Sequence, residues 1–330
     1  MKLLLHLESY AVLLFCGDLI PTNIPALTIE EWKNVTEAIK ISHKDGINSL
    51  FGLSYEGLTQ VVGLSDALAR KILKRETLMP TLFYALHNLE KEGIGVTTIY
   101  EDNYPAGLHV LKEEPPILYY VGDLSLIDGK MIAIGGRDHQ DTSEKQLTTA
   151  CMQKALIENR TLIIGDRDVD DYMRRYTLSH GGRVVEFVAD HMVDIVKKRK
   201  RYFNKGTLTI ICHRDPYGYN DDEAIKVRDL SLCALASAMF VTASAINSDL
   251  YATCVTNLHY HYTPLLVMKP SDMYDGNLRL LEMGGHLVTL SQLASDTMID
   301  DLSTSESIEE GARPDQMSIF EFIEEDDHAA

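Results

Sequence analysis

Arginines placed just past short apolar runs are the residues of this chain best suited to chemistry. Arg137 follows Gly135 and Gly136 at the end of M-I-A-I, and Arg167 follows I-I-G-D. A guanidinium offers phosphate oxygens a planar fork of donors, and a strand-end turn adds backbone N–H groups without side-chain entropy. A third such place is V-M-K-P-S-D-M-Y-D-G-N-L-R-L-L-E-M-G-G, from Val267 to Gly285. It reads as an apolar strand that breaks at Pro270, then a Gly276-Asn277 turn opening an amphipathic helix. Strand, turn and helix N-terminus in that order is where α/β proteins present free amides to phosphates. Tyr217 or Tyr219 is available to stack a base. The plainer reading pairs Arg137 and Arg167 with Asp138, Asp166 or Asp168 on the rim, and the sequence leaves both open.

Lys197, Lys198, Arg199, Lys200 and Arg201 form the one strong basic run, at the end of an amphipathic helix and just before Tyr202-Phe203. It suits a nucleic-acid backbone with aromatics alongside, and equally a solvated helix C-terminus. Arg174 and Arg175 divide the same way, as added cations for a polyanion or as a solvated face. His259 and His261, read as strand neighbours, lack a Cys or acid to complete a metal set, so a tyrosine-rich surface or dimer edge fits better. Cys212-His213 has the composition of a nucleophile and base, yet neighbours on a strand face opposite ways. The chain has no Walker A, G-x-G-x-x-G or G-x-S-x-G segment.

The elements that must position these residues change texture along the chain. Residues 1–95 show helical spacing (Ile29, Trp32, Val35 and Ile39, for example) and predict a small all-α domain. Within it Gly57–Leu73 reads as a helical hairpin, with Ser65 capping the second helix, for packing or partner contact before DNA contact. Residues 96–293 alternate short β-branched runs with helices, which predicts an α/β, Rossmann-like, doubly wound and mostly parallel sheet. Residues 294–330 predict an acidic flexible tail. The net charge is −18; the twelve acids of residues 296–330 against Arg313 carry −11 of it, leaving −7 for residues 1–295. A body of that charge still accommodates a local basic groove.

Five widely spaced cysteines with no C-x-x-C pair fit a reduced, cytoplasmic compartment. His6 and Glu8 interrupt the first apolar run before it reaches the length of a secretory core, and no stretch is long enough to span a membrane.

Four stretches then fall in order: Y-P-A-G-L (Tyr104–Leu108) with P-P-I-L-Y-Y-V-G-D-L-S-L-I (Pro115–Ile127); Gly135-Gly136-Arg137 after its strand; I-I-G-D-R-D-V-D (Ile163–Asp170) with Gly181-Gly182-Arg183; and the turn and helix from Gly276. Together they resemble the DNA-processing protein DprA/Smf family over about 94–290. The resemblance implies a Rossmann-like domain that binds single-stranded DNA as a homodimer and hands the strand to a RecA-type recombinase in natural transformation, with no catalysis and no cofactor. It carries DNA contact to Gly135 and Arg137, to Arg167 and Asp170, to Arg228, and to Gly276 and Asn277. Gly136, Arg174, Lys197, Lys198, Arg199 and Lys226 join them as candidate contacts. Departures are specific: Asp168 replaces the family's Gly in R-G-I-D, Asp166 its small residue before the Arg, and Asp229 the Asn after Arg228. Each carboxylate beside a phosphate opposes binding by ~1–4 kcal/mol.

Gln316-Met317-Ser318-Ile319-Phe320 resembles the Q-L-S-L-F peptide that docks bacterial repair proteins on the sliding clamp. The tail acids alternatively mimic DNA in the chain's own groove. Two rivals to single-stranded DNA binding stay open: a Rossmann-like nucleotide hydrolase, whose P-G-G-x-G-T-x-x-E signature is missing, and a DprA paralogue serving as an interaction or regulatory subunit.

Overall fold

The computed structural model describes residues 5–127, 129–203, 205–218, 222–269 and 274–303. The chain opens with α1 (Leu7–Cys16), α2 (Ile29–Ile41), α3 (Asp66–Glu76) and α4 (Met79–Lys91). Thr28 and Glu31 close a capping box on α2, and Ser65 accepts from the Leu68 amide to start α3 as its sequence position implies. The expected first helix of the Gly57–Leu73 hairpin is a single π turn over Gly57–Val61. Arg75, 1% exposed, donates to the carbonyls of Leu14 (2.5 Å), Gly17 (2.7 Å) and Ile24 (2.8 Å), which fixes the loop between α1 and α2.

Two antiparallel strands come next, β1 (Gly95–Thr98) and β2 (Ile117–Val121). Strands and helices then alternate: β3 (Met131–Gly135), α5 (Thr142–Ile157), β4 (Thr161–Ile164), α6 (Asp168–Ser179), β5 (Arg183–Val188), α7 (Met192–Phe203), β6 (Leu208–Cys212), α8 (Asp222–Leu235), β7 (Ala238–Val241), α9 (Asp249–Tyr260), β8 (Leu265–Met268), α10 (Asp275–Glu282), β9 (His286–Val288) and α11 (Leu290–Leu293). The sheet order is β1-β2-β6-β5-β4-β3-β7-β8-β9, parallel from β6 to β9. This is the expected α/β, mostly parallel, doubly wound Rossmann-like fold. The chain winds one way from β3 to β6 and the other way from β7, so the switch point lies between β3 and β7.

Two apolar cores flank the sheet. One joins Leu147, Met173 and Met192 of α5, α6 and α7 to the sheet, and it continues into Leu14, Val35, Ile72 and Leu89 of the N-terminal helices. The other packs Cys233, Cys254 and Leu280 of α8, α9 and α10 on the opposite face. The central strands are buried on both sides, which is why they read as continuous apolar runs.

The tail does not begin at 294 as expected. Ile299 (1% exposed) and Leu302 (0%) enter the first core, the Ile299 amide donates to Glu158, and Lys154 donates to the Ser295 carbonyl. Two apolar side chains in an acidic stretch suffice to dock it. The Gln316–Phe320 motif lies outside the described residues.

Candidate nucleic-acid interface

At the carboxyl end of β3 the two glycines serve packing. A Cβ on Gly135 would lie 2.5 Å from a Leu250 methyl, and one on Gly136 would lie 2.6 Å from both Gln140 Nε2 and Thr242 Oγ1. Both are buried, which corrects the expectation that they offer bare amides. Arg137 is the first side chain to emerge, 41% exposed. Its Nε and Nη2 donate to Oε1 and Oε2 of Glu144, each at 3.0 Å, and its guanidinium lies 4.7 Å over the Tyr274 ring. Burial opposes the Glu144 charge, but hydrogen bonds from Arg137, Tyr274 and the Asp141 amide hold its pKa below the usual carboxylate value. A guanidinium has five N–H donors, so donors remain for an incoming oxygen. The signal that Arg137 would be oriented from α5 is the capping box of Asp141 and Glu144, three residues apart.

At β4 and β5 the chain's own carboxylates occupy the strand-end amides. Asp166 accepts from the Ala189 amide (3.1 Å), Asp170 from the Arg167 amide (3.0 Å), and Asp138 from the Val169 amide at the start of α6 (3.4 Å). These are the donors a phosphate would use. Arg167, 29% exposed in its side chain, lies 3.7 Å from Asp170. Burial lowers its pKa, and Asp170, Asp229 and Asp138 more than offset this. Asp170 itself is 3% exposed, its pKa raised by burial, and it caps α6 instead of facing solvent.

Arg228 is 3% exposed, paired with Asp166 and, at 2.8 Å, with Asp229. Arg174 is 6% exposed and pairs with Asp171 and with Glu186 (3.5 Å); Arg199 reaches the same Glu186 at 2.7 Å. These three are corrected from free cations to members of ion pairs, and the acids beside Arg228 are two of the departures from the expected motif. Arg175 remains exposed on α6 and pairs with Asp171.

Gly276 and Asn277 are also corrected. They form no open turn, since α10 begins at Asp275 and both are buried in its first turn. A Cβ on Gly276 would meet the Ser244 carbonyl oxygen at 2.5 Å. The Asn277 side chain accepts from the Ser244 amide (2.8 Å) and donates to the carbonyls of Met268 (3.0 Å) and Thr242 (3.4 Å), tying the ends of β7 and β8.

The remaining candidates are scattered. Lys197 and Lys198 are exposed, but α7 runs back from the carboxyl edge, so its basic end lies up to about 18 Å away at the amino edge. Lys226 is exposed in a cleft between α8 and α9 that also holds Asp229 and Asp249. The Tyr217 hydroxyl donates to Glu92, and Tyr219 lies outside the described residues. His259 lies in the last turn of α9 and His261 is its left-handed C-cap (φ 54°), so neither lies on a strand as expected; Tyr260 stacks on Tyr262 instead. Cys212 is buried and its thiol pushed up to about 12 by burial, which suits packing and not nucleophilic attack. Among the described residues no cluster has a metal-binding set, and no helix is long and apolar enough to cross a membrane.

A doubly wound sheet with its polar loops gathered at the carboxyl edge defines a Rossmann-like α/β protein. Residues 95–298, more than half of the chain, match the family described as DNA recombination-mediator protein A, and the chain belongs to that DNA-processing family. The X-ray structure of DprA from Streptococcus pneumoniae superposes with a TM-score of 0.63 at 18% identity, over 81% of this chain and 92% of that one. DprA from Helicobacter pylori, whose structure is described for its unique single-stranded DNA binding mode, gives 0.51 at 18% identity, over 62% and 94%. At that identity both likenesses show the fold. No curated protein matches the sequence.

Proposed function

We propose that the protein binds single-stranded DNA at a ledge made by Arg137 and Tyr274, beside the switch point. The observation that carries this is the stacked pair itself. An exposed guanidinium with spare donors, held 4.7 Å over a tyrosine ring, joins a phosphate contact to an aromatic platform. Support comes from the family, and from the H. pylori relative being described as binding single-stranded DNA. Strand transfer to a recombinase, homodimer assembly, docking on a sliding clamp, cytoplasmic residence and the lack of catalysis belong to the same proposal.

A second reading has its own observation. Asp138, Asp166 and Asp170 fill the amides at β4 and β5, which favours a family member that has given up strand binding and acts as an interaction subunit. Titration of oligo-dT at two salt concentrations, wild type against Arg137→Ala, decides between them. The ledge requires salt-sensitive binding that Arg137→Ala weakens, with a log–log salt slope shallower by about one. Equal binding by both proteins overturns the ledge, and no binding by either leaves the second reading. Release of a base from a nucleoside monophosphate would instead identify the hydrolase.

A further inference from the structure

A cavity of about 290 Å³ opens at the far end of the same carboxyl edge, away from Arg137. Its walls are the loop between α1 and α2, the start of β2, the end of β6 and the start of α8. One wall is held firmly, because buried Arg75 ties down the α1–α2 loop by three carbonyls. The lining is mainly apolar: Leu27, Ile29, Trp32, Pro116 and Ile117.

Three features narrow the ligand. The Tyr119 hydroxyl is buried without a hydrogen-bond partner among the described residues, on a side chain 1% exposed that lines the cavity. Such a group carries an unrepaid desolvation cost until a partner meets it. Secondly, the charged lining is mainly acidic: Asp18, Asp215 and Glu223 against Arg214, which already lies 3.3 Å from Asp18 and 3.8 Å from Glu223, with His213 and Thr28 completing the polar lining. Three carboxylates repel a phosphate and accept from amines. Thirdly, the volume accommodates a planar ring system, beside an indole and a proline that present flat apolar faces.

We propose that this cavity is a binding site for a nucleobase bearing an exocyclic amine, adenine or cytosine, taken as a free nucleoside or as an unstacked base. The ring packs against Trp32 and Pro116, the base edge meets the Tyr119 hydroxyl, and the exocyclic amine donates to a carboxylate of Asp18 or Asp215. Carboxylates accepting from amino groups are a known means of base readout.

Trp32 is the chain's single tryptophan, so its emission reports on this cavity alone. The full chain is titrated with adenosine, cytidine, thymidine, AMP and arginine methyl ester. The site requires a saturable change with adenosine or cytidine, binding of thymidine at least about fivefold weaker, and AMP weaker than adenosine. Tyr119→Phe weakens adenosine about fivefold to tenfold while leaving the unfolding midpoint equal or higher, since only an unpaired hydroxyl is lost. The proposal is overturned if no nucleoside acts at millimolar concentration, if AMP binds more tightly than adenosine, or if Tyr119→Phe binds like wild type. A response to arginine methyl ester alone also overturns it, in favour of a basic peptide. The titration contains no DNA, so its result is separate from that of the oligo-dT titration.

Discussion

Arg228 reaches from α8 to the carboxylate of Asp166 at the end of β4, an ion pair between positions 62 residues apart whose guanidinium is 3% exposed. Removing one member of a buried pair leaves the other charge without compensation. Arg228→Ala is therefore expected to destabilise the fold by about 3 kcal/mol, measured by urea unfolding. Its oligo-dT affinity, corrected for the folded fraction, stays at the wild-type value. A large loss of affinity without a loss of stability would return Arg228 to the DNA site.

Asn277 makes the same point from the other side of the switch. Its side chain satisfies one amide and two carbonyls at the ends of β7 and β8 while fully buried. Asn277→Ala leaves those groups unpaired and is expected to cost about 2–4 kcal/mol. Gly276→Ala is expected to destabilise as well, because its Cβ would stand 2.5 Å from a backbone oxygen that cannot swing away. Calorimetric midpoints check both.

The sheet was legible in the sequence and half of the site was not, for one physical reason. Buried parallel strands announce themselves as apolar runs, and each parallel strand from Met131 to Val288 overlaps such a run, β7 beginning one residue earlier, at Ala238, than its run from Met239 to Thr242. β2 was legible as the motif P-P-I-L-Y-Y-V but not as an antiparallel partner of β6, since pairing across 90 residues leaves no local pattern. The fate of an arginine depends on which acids reach it in three dimensions. Arg174, Arg199 and Arg228 have the same side chain as Arg137, yet Glu186 and Asp166 draw them inward from 12, 13 and 62 positions away. The sequence left Arg167 open to pairing with neighbouring acids, and it does pair, though its partner is Asp170 and not Asp166 or Asp168.

Glu186 sits fully buried on β5, facing Arg174 from α6 and Arg199 from α7. Its pKa is raised to about 7, first by burial, with Arg199 and Arg174 opposing and Asp170 and Asp166 adding. A raised carboxyl binds its proton more tightly in the folded than in the unfolded chain. Its contribution is therefore fully present below the unfolded pKa near 4.5 and is lost as pH rises through about 7. The loss amounts to roughly 3 kcal/mol at most. Denaturant unfolding across this window should show stability falling with pH, and Glu186→Gln should flatten that slope. An unchanged slope would mean that Glu186 titrates elsewhere.

Residues 294–303 belong to the folded body, and truncation separates their contribution from that of residues 304–330. Ile299 and Leu302 are buried, the Ile299 amide donates to Glu158, and Asp300 pairs with Arg160 (3.0 Å) and with Lys130. Burying two aliphatic side chains stabilises by roughly 3–6 kcal/mol before the cost of ordering the segment. The Lys130 pair is exposed and adds little. A chain ending at Ser303 keeps all of these contacts and serves as the reference. One ending at Leu293 should unfold at a clearly lower midpoint and expose the apolar surface that Ile299 and Leu302 cover, read as dye binding before the main transition. Equal midpoints for the two truncations would show that the segment rests on the body without contributing to it.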